Sequence, residues 1–354
     1  MHDHHDHQHE HHDHQHDHHD HQHDHDEPRA RRDPRVVVVT GASSGIGRAT
    51  AHAFAERGDT VVLAARSAGT LEEVARECVE RGGRATAVPT DVTDAAAVTA
   101  LVRRTVADHG RVDVWVNAAA VWSYGRFEDT SDEVFRRVLD TTLLGQVHAA
   151  RAVLPVLRAQ GHGVLVNVAS VYGLVSAPYV SAYVAAKWGL VGFTEVLRHE
   201  LRDLPDVHVC AVLPGTVDTP IYRHAANVVG RRIRPLPPVV APERVAAAVV
   251  RVADRPRART VVGRVQHVAV WVHALTPGLY ERLAGPLVDR LTLLDEPVAH
   301  TTGTVERPDP GSNAVRDGWR SRDAARVGAG LAVVGGAVAG AAAVVLRRVV
   351  DRRG

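Results

Sequence analysis

This sequence predicts an α/β protein with a doubly wound parallel sheet, and three observations carry that expectation. Short β-branched runs alternate with helical patterns from about residue 35 to 265. Those runs are apolar throughout rather than alternating in polarity, and the first, RVVVVTG, ends on glycine directly before a helical pattern. Strands that are apolar on both faces must be covered on both faces, as a parallel sheet between two helix layers is. With 354 residues, 45% of them hydrophobic, the chain has material for a large core.

The elements follow in order. After RVVVVTG comes the helical pattern IGRATAHAFAERG, then the strand VVLAAR at 61–66, and then the helix LEEVARECVERGG, closed by Gly82. ATAVPTDV, VDVWVNAAA, GVLVNVAS, VHVCAVLPG and TVVG (260–263) supply further strands. The segment from 266 to 294 is apolar and helical, broken at Pro277 and Pro286, and reads as helices packed on the core or lying at a membrane surface. Residues 295–326, rich in Pro, Gly, Thr and charge, read as a linker. The last piece, VGAGLAVVGGAVAGAAAVVL, spans 327–346.

Composition narrows the function classes. A formal net charge of +1, from 42 basic and 41 acidic side chains, gives no electrostatic reason to expect nucleic acid as a partner. Cys78 and Cys210 stand far apart without metal-ligand spacing, which fits two core thiols in a reduced chain. The opening run of His, Asp, Gln and Glu has no apolar stretch, so no signal peptide is expected and residues 1–34 read as a disordered tail. Its 14 histidines among carboxylates can bind divalent metal loosely, or can serve only as a solubilising tail that charges below about pH 6.5. No defined metal site is expected.

Two motifs carry chemistry. TGASSGIG, Thr40 to Gly47, lies between the first strand and the first helix. There, glycines let the backbone approach a pyrophosphate and the helix N-terminus favours its charge. Ser170 closes the strand GVLVNVAS, while Tyr183 and Lys187, four residues apart in SAYVAAKWG, fall on one helix face. Lys187 is the only lysine in the chain, so every other residue among the 42 Lys and Arg is an arginine.

Together these motifs resemble the short-chain dehydrogenase/reductase family over roughly 36–265, including the Ser to Tyr interval of 13 residues. The resemblance implies a Rossmann-type fold and hydride transfer between a nicotinamide cofactor and a carbonyl or alcohol. It makes Ser170, Tyr183 and Lys187 catalytic. Tyr183 is the acid, Ser170 orients the substrate oxygen, and Lys187 holds the nicotinamide ribose. A nearby ammonium would also favour the phenolate and lower an unperturbed phenol pKa near 10. The cofactor residues implied are Gly41, Ser43, Ser44, Gly45, Ile46, Gly47, Arg66, Asp91, Val92, Asn117, Tyr183, Lys187, Pro214, Gly215, Val217 and Thr219.

NAD enzymes commonly place an acid at the end of the second strand for the ribose 2′-hydroxyl. Here that position is Ala65, followed by Arg66, so no carboxylate repels a 2′-phosphate and a guanidinium can grip it. NADP is the expected cofactor, with Arg66 as a plain solvated charge the alternative. Two positions depart from the family pattern. Asn117-Ala118-Ala119-Ala120 replaces Asn-Asn-Ala-Gly, and Thr142 stands where a further catalytic Asn is usual. A threonine can still hydrogen-bond water, though without the amide's geometry.

Residues 327–346 run for 20 residues without a charge, flanked by Arg322, Arg326, Arg347 and Arg348. At roughly 1.5 Å per residue such a helix spans a bilayer core of about 30 Å. The expectation is a single C-terminal membrane anchor with the enzyme domain on the cytoplasmic face; a buried or interfacial helix is the alternative. The expected partner is a small-molecule carbonyl or alcohol, lipophilic if the membrane reading holds, entering past a loop spanning 221–238. A homodimer or tetramer is left open. The rival from another class is a nucleotide-sensing or membrane scaffold protein without catalysis on the same fold, and retention of Ser170, Tyr183 and Lys187 argues against it.

Overall fold

In the VVVVT run of β1 (Val36–Thr40), every residue is buried and successive side chains enter different cores. Val37 and Val39 join a cluster with Phe54, Val245 and Val249, whereas Val38 joins another with Leu101, Trp115 and Val153. A strand with period 2 whose apolar side chains point to both faces is satisfied only when helices cover each of them. The computed structural model that displays this describes residues 33–309 and 311–323. Most of the His-rich tail and the apolar segment 327–346 lie outside the described residues.

The other sheet strands are β2 (Thr60–Ala65), β3 (Arg84–Pro89), β4 (Val114–Asn117), β5 (Gly163–Val168), β6 (Val207–Pro214) and β7 (Arg259–Val262). All pair in parallel, in the order β7-β6-β5-β4-β1-β2-β3. This is the doubly wound Rossmann-type arrangement, and the strand order reverses between β1 and β4. A crevice opens beyond the strand carboxyl ends at such a point.

Helices α1 (Gly45–Ala55), α2 (Ala68–Glu80), α3 (Ala95–His109), α4 (Asp132–Leu139), α5 (Gly145–Gln160), α6 (Ser181–Glu200) and α7 (Pro242–Asp254) connect the strands. Their ends follow local chemistry. The Asp94 carboxylate caps α3 by accepting from the Ala96 and Ala97 amides, and Gly110, with φ of 76°, ends that helix in the left-handed conformation that glycine tolerates. Cys78 and Cys210 are both free and buried, and burial pushes their thiols up to about 12 and about 11. Each is a core residue rather than a reactive one.

Beyond the sheet, α8 (Arg264–Leu275) and α9 (Pro277–Thr292) form the appended helical pair. The pair touches the domain: Tyr280 donates to the Ser176 carbonyl at 2.7 Å, and His273 meets the Trp188 ring edge to face. Among the described residues, no helix is long and apolar enough to cross a membrane.

The expectation of a linker over 295–326 needs correction. Leu293–Pro297 is a strand antiparallel to Arg231–Ile233, and residues 301–309 and 311–320 run back across the domain in contact with it. Asn227 and Thr301 exchange backbone hydrogen bonds of 2.8 and 3.0 Å, and Val305 is buried in the same cluster as Trp122 and Tyr183. Composition suggested solvation because the segment is polar. Its attachment is made chiefly by backbone amides and carbonyls, which composition does not display.

Candidate active site

The crevice at the strand carboxyl ends is a cavity of about 910 Å³. Its phosphate end is shaped by close backbone packing. A Cβ on Gly41, whose φ is 68°, would lie 2.6 Å from the Ala119 amide nitrogen, and one on Gly47 would lie 2.0 Å from the Gly41 carbonyl oxygen. Only glycine fits either place. The turn therefore lies flat against the chain after β4, and the N-terminus of α1 faces the cleft, with Ser43, Ser44, Gly45, Ile46 and Gly47 on its wall. Aligned amides at a helix start favour an anion. This cradle, which side chains would fill, fits a dinucleotide pyrophosphate.

At the end of β2, Ala65 and Arg66 line the cleft beside Asp91 and Val92. Arg66 donates to the carbonyls of Thr304 (2.8 Å) and Glu306 (3.3 Å) in the returning segment. On the far side, Pro214 at the end of β6 and Gly215, Val217 and Thr219 after it complete the wall.

Ser170, Tyr183 and Lys187 converge on this cleft. Ser170 follows β5, and its Oγ accepts from the Tyr172 amide at 3.1 Å, which fixes the turn. Tyr183 and Lys187 sit one turn apart on the buried face of α6. Lys187 is 1% exposed, donates from Nζ to the Val168 carbonyl at 2.8 Å, and lies 5.5 Å from the centre of the Tyr183 ring. Burial pushes its ammonium down to about 7, so its charge titrates near neutrality.

The expectation that Lys187 lowers the Tyr183 phenol is corrected by the same burial. Desolvation drives the phenol well above its ordinary value, and the Ser170 hydrogen bond opposes this only in part. In this environment Tyr183 is a protonated donor at neutral pH.

Two other nominated residues do not reach the cleft. Asn117 Nδ2 donates to Asn167 Oδ1 at 2.9 Å and its Oδ1 accepts from Trp115 Nε1 at 2.8 Å. Asn167 in turn donates to Thr194 at 2.9 Å, so Asn117 belongs to a buried amide chain linking β4, β5 and α6. Thr142 is fully buried; its hydroxyl donates to the Val121 carbonyl and accepts from the Val121 amide, each at 3.1 Å. It pins the chain after β4 in place. The neighbouring residue, Thr141, lines the cleft.

Sequence reasoning missed Trp122. Its ring stacks on Tyr183 with centroids 4.1 Å apart and an interplanar angle of 27°, and Tyr172 and Tyr222 pack around it. The signal was the aromatic spacing in VWSYG directly after β4, which has no polar partner pattern to mark it. The loop at 221–238 contributes Ile221, Tyr222, His224, Arg234 and Leu236 to the cleft. Apolar side chains of α8 and α9, among them Val268, Val272, Leu279, Leu283 and Leu287, cover the same end. Among the described residues no cluster of His, Cys, Asp or Glu could hold a metal ion.

Fold and cleft together define a dinucleotide-binding oxidoreductase of the Rossmann type. A profile of the family described as short chain dehydrogenase matches residues 35–227. The chain is also similar to the uncharacterized oxidoreductase YxnA of Bacillus subtilis, at 36% identity over 252 residues, 70% of this chain and 71% of that relative. It belongs to the short-chain dehydrogenase family.

Two solved structures are similar to it. One is an alcohol dehydrogenase from the archaeon Thermococcus sibiricus in complex with 5-hydroxy-NADP, with TM-score 0.57, 29% identity and coverage of 64% of this chain and 95% of that one. The other is a short-chain dehydrogenase/reductase from Burkholderia phymatum in complex with NAD, with TM-score 0.61, 27% identity and coverage of 72% and 96%.

The burial of Lys187 has a signature in stability. Between about pH 7 and the ordinary 10.5, an unfolded lysine carries a proton that the folded Lys187 lacks. The unfolded state binds more protons, so stability rises with pH across that window. The stability of wild type minus that of Lys187→Met is therefore expected to climb by roughly 1 kcal/mol per pH unit, the scale set by one proton. Denaturant unfolding of both proteins at several pH values measures it, and a difference independent of pH contradicts the burial of an ionisable group here.

Proposed function

We propose that this protein is an NADP-dependent reductase of lipophilic carbonyl compounds, able to run in reverse on the corresponding alcohols. One observation carries the reading: a single cleft holds Ser170, Tyr183 and Lys187 at one point and the glycine-built helix terminus with Arg66 at another. Bound there, the reduced nicotinamide supplies the hydride. Reduction of a carbonyl then needs a proton for the developing alkoxide, and Tyr183, held protonated by burial, is the donor. The Ser170 hydroxyl, next to Tyr183, hydrogen-bonds the same oxygen and steadies its growing charge. Lys187, anchored on the Val168 carbonyl, gives the ribose hydroxyls a compact cationic donor.

Support for NADP comes from Arg66 at the cleft with Ala65, rather than a carboxylate, beside it. Support for a lipophilic substrate comes from the apolar faces of α8 and α9 over the substrate end. The uncharged run at 327–346 supports attachment to a membrane, and use of NADP supports the cytoplasmic face. Fractionation of lysed cells tests that attachment: full-length protein is expected in the membrane fraction, and recovery in the soluble fraction contradicts it.

A purified-protein screen of NADPH oxidation over ketones and aldehydes of graded size and hydrophobicity tests the catalytic reading. Tyr183→Phe is expected to lower kcat by 10²- to 10⁴-fold, the usual range for losing a general acid. Cofactor binding without turnover on the whole panel would instead favour a nucleotide sensor on this fold.

A further inference from the structure

Residues 301–309 and 311–317 cross the open side of the dinucleotide cleft and touch the groups that the fold presents to phosphates. The Ala314 carbonyl accepts from the Gly45 amide at 3.1 Å, at the start of α1. The Asn313 carbonyl accepts from Arg48 at 2.7 Å, and the Asn313 side chain reaches Thr70 at 3.3 Å on α2. The Thr304 and Glu306 carbonyls take Arg66. Thr304, Pro308, Asp309 and Asn313 line the cleft, which still encloses about 910 Å³. A volume near the top of the ordinary range for ligand sites means that the segment walls the cavity rather than plugging it.

Both ends of the segment are fixed to the domain, at Gly303 and at Asp218. At one end, Gly303 adopts φ of 56°, and a Cβ there would lie 2.2 Å from the His224 carbonyl oxygen. At the other, Asp218 is 2% exposed, and its carboxylate accepts from the backbone amides of Asp317 (3.2 Å), Trp319 (2.8 Å) and Arg320 (3.4 Å). A buried carboxylate is tolerated only when its oxygens are bonded, so the fold commits Asp218 to holding this segment down. Ion pairs of Arg223 with Asp317 and of Arg316 with Glu243 add to the attachment.

We propose that residues 301–309 and 311–317 form a strap that closes the dinucleotide into the cleft, so that cofactor release waits for the strap to lift. The inference rests on the cofactor reading above and adds to it a wall supplied from the C-terminal side of the chain. The carbonyls of Thr304 and Glu306 hold Arg66 at the end of β2, while the 313–314 carbonyls bond to α1 and the Asn313 side chain reaches α2. Asp218 and Gly303 are positioning residues: they act on the cofactor through the strap.

Dissociation of NADPH and NADH from the full-length protein, followed by nucleotide fluorescence in a stopped-flow chase, tests the strap. Asp218→Ala frees one end and Gly303→Ala displaces the other; circular dichroism of each variant without nucleotide reports whether it folds. Release is expected to be at least tenfold faster in each folded variant. Hydrogen exchange on the wild-type protein needs no variant: the amides of Gly45, Trp319 and Arg320 are expected to exchange more slowly with nucleotide bound.

Unchanged or slower release in the variants, or faster exchange of those amides on binding, overturns the proposal. The second result would mean that the strap competes with the cofactor. If NADH is held and NADPH is not, the Arg66 reading fails, while the NADH release rates still decide the strap. A protein that binds neither nucleotide overturns both.

Discussion

The hydrogen bond from Lys187 Nζ to the Val168 carbonyl, 2.8 Å long and shut away from solvent, is the constraint on which the site depends. It ties the middle of α6 to the end of β5, and so sets Tyr183, one turn earlier, opposite Ser170, two residues beyond Val168. An ammonium in that position keeps its charge only against a strong desolvation penalty, which places its titration near neutrality. Arginine cannot substitute: it holds its proton at every pH and its planar fork needs more room than a compact ammonium. A chain that otherwise uses arginine for every basic side chain keeps its one lysine at the point where a small, titratable cation is required.

From that contact outward, the cleft is assembled by elements distant in sequence. The strand order reverses between β1 and β4, which opens the crevice, and Gly41 and Gly47 bring the backbone close enough for the α1 terminus to face it. Trp122 stacks on the Tyr183 ring and, with Tyr172 and Tyr222, gives it an aromatic enclosure. That enclosure desolvates the phenol and keeps it a proton donor. The appended helices cover the substrate end and the returning segment walls the phosphate end, so both parts beyond the common fold bear on the same cavity.

The sheet, its parallel sense and the convergence of Ser170, Tyr183 and Lys187 on one cleft were legible in the sequence because each has a local signature: unbroken apolar strands, a glycine turn at a helix start, and side chains four apart on one helix face. Arg66 was legible as a cleft residue, but not its bonds to Thr304 and Glu306, since those partners are carbonyls that every residue type carries. For the same reason a stretch rich in Pro, Gly and charge read as linker when it is attached by backbone bonds to Asp218, Gly45 and Asn227. Asn117 and Thr142 were legible as polar positions near the site, yet the buried amide chain and the Val121 backbone claim them. Spacing shows that a polar group stands there; only the three-dimensional neighbours show what it is bonded to.

With a single lysine in the chain, labelling the protein with lysine carrying ¹³C at Cε gives one side-chain resonance, assigned without mutation. Its titration by NMR in the absence of nucleotide measures directly the property on which the site depends. A midpoint at about 7 is expected from the burial of Lys187. A midpoint near the ordinary lysine value of 10.5 would mean that the ammonium stands in water, and the geometry of Tyr183 and Ser170 built on it would be wrong.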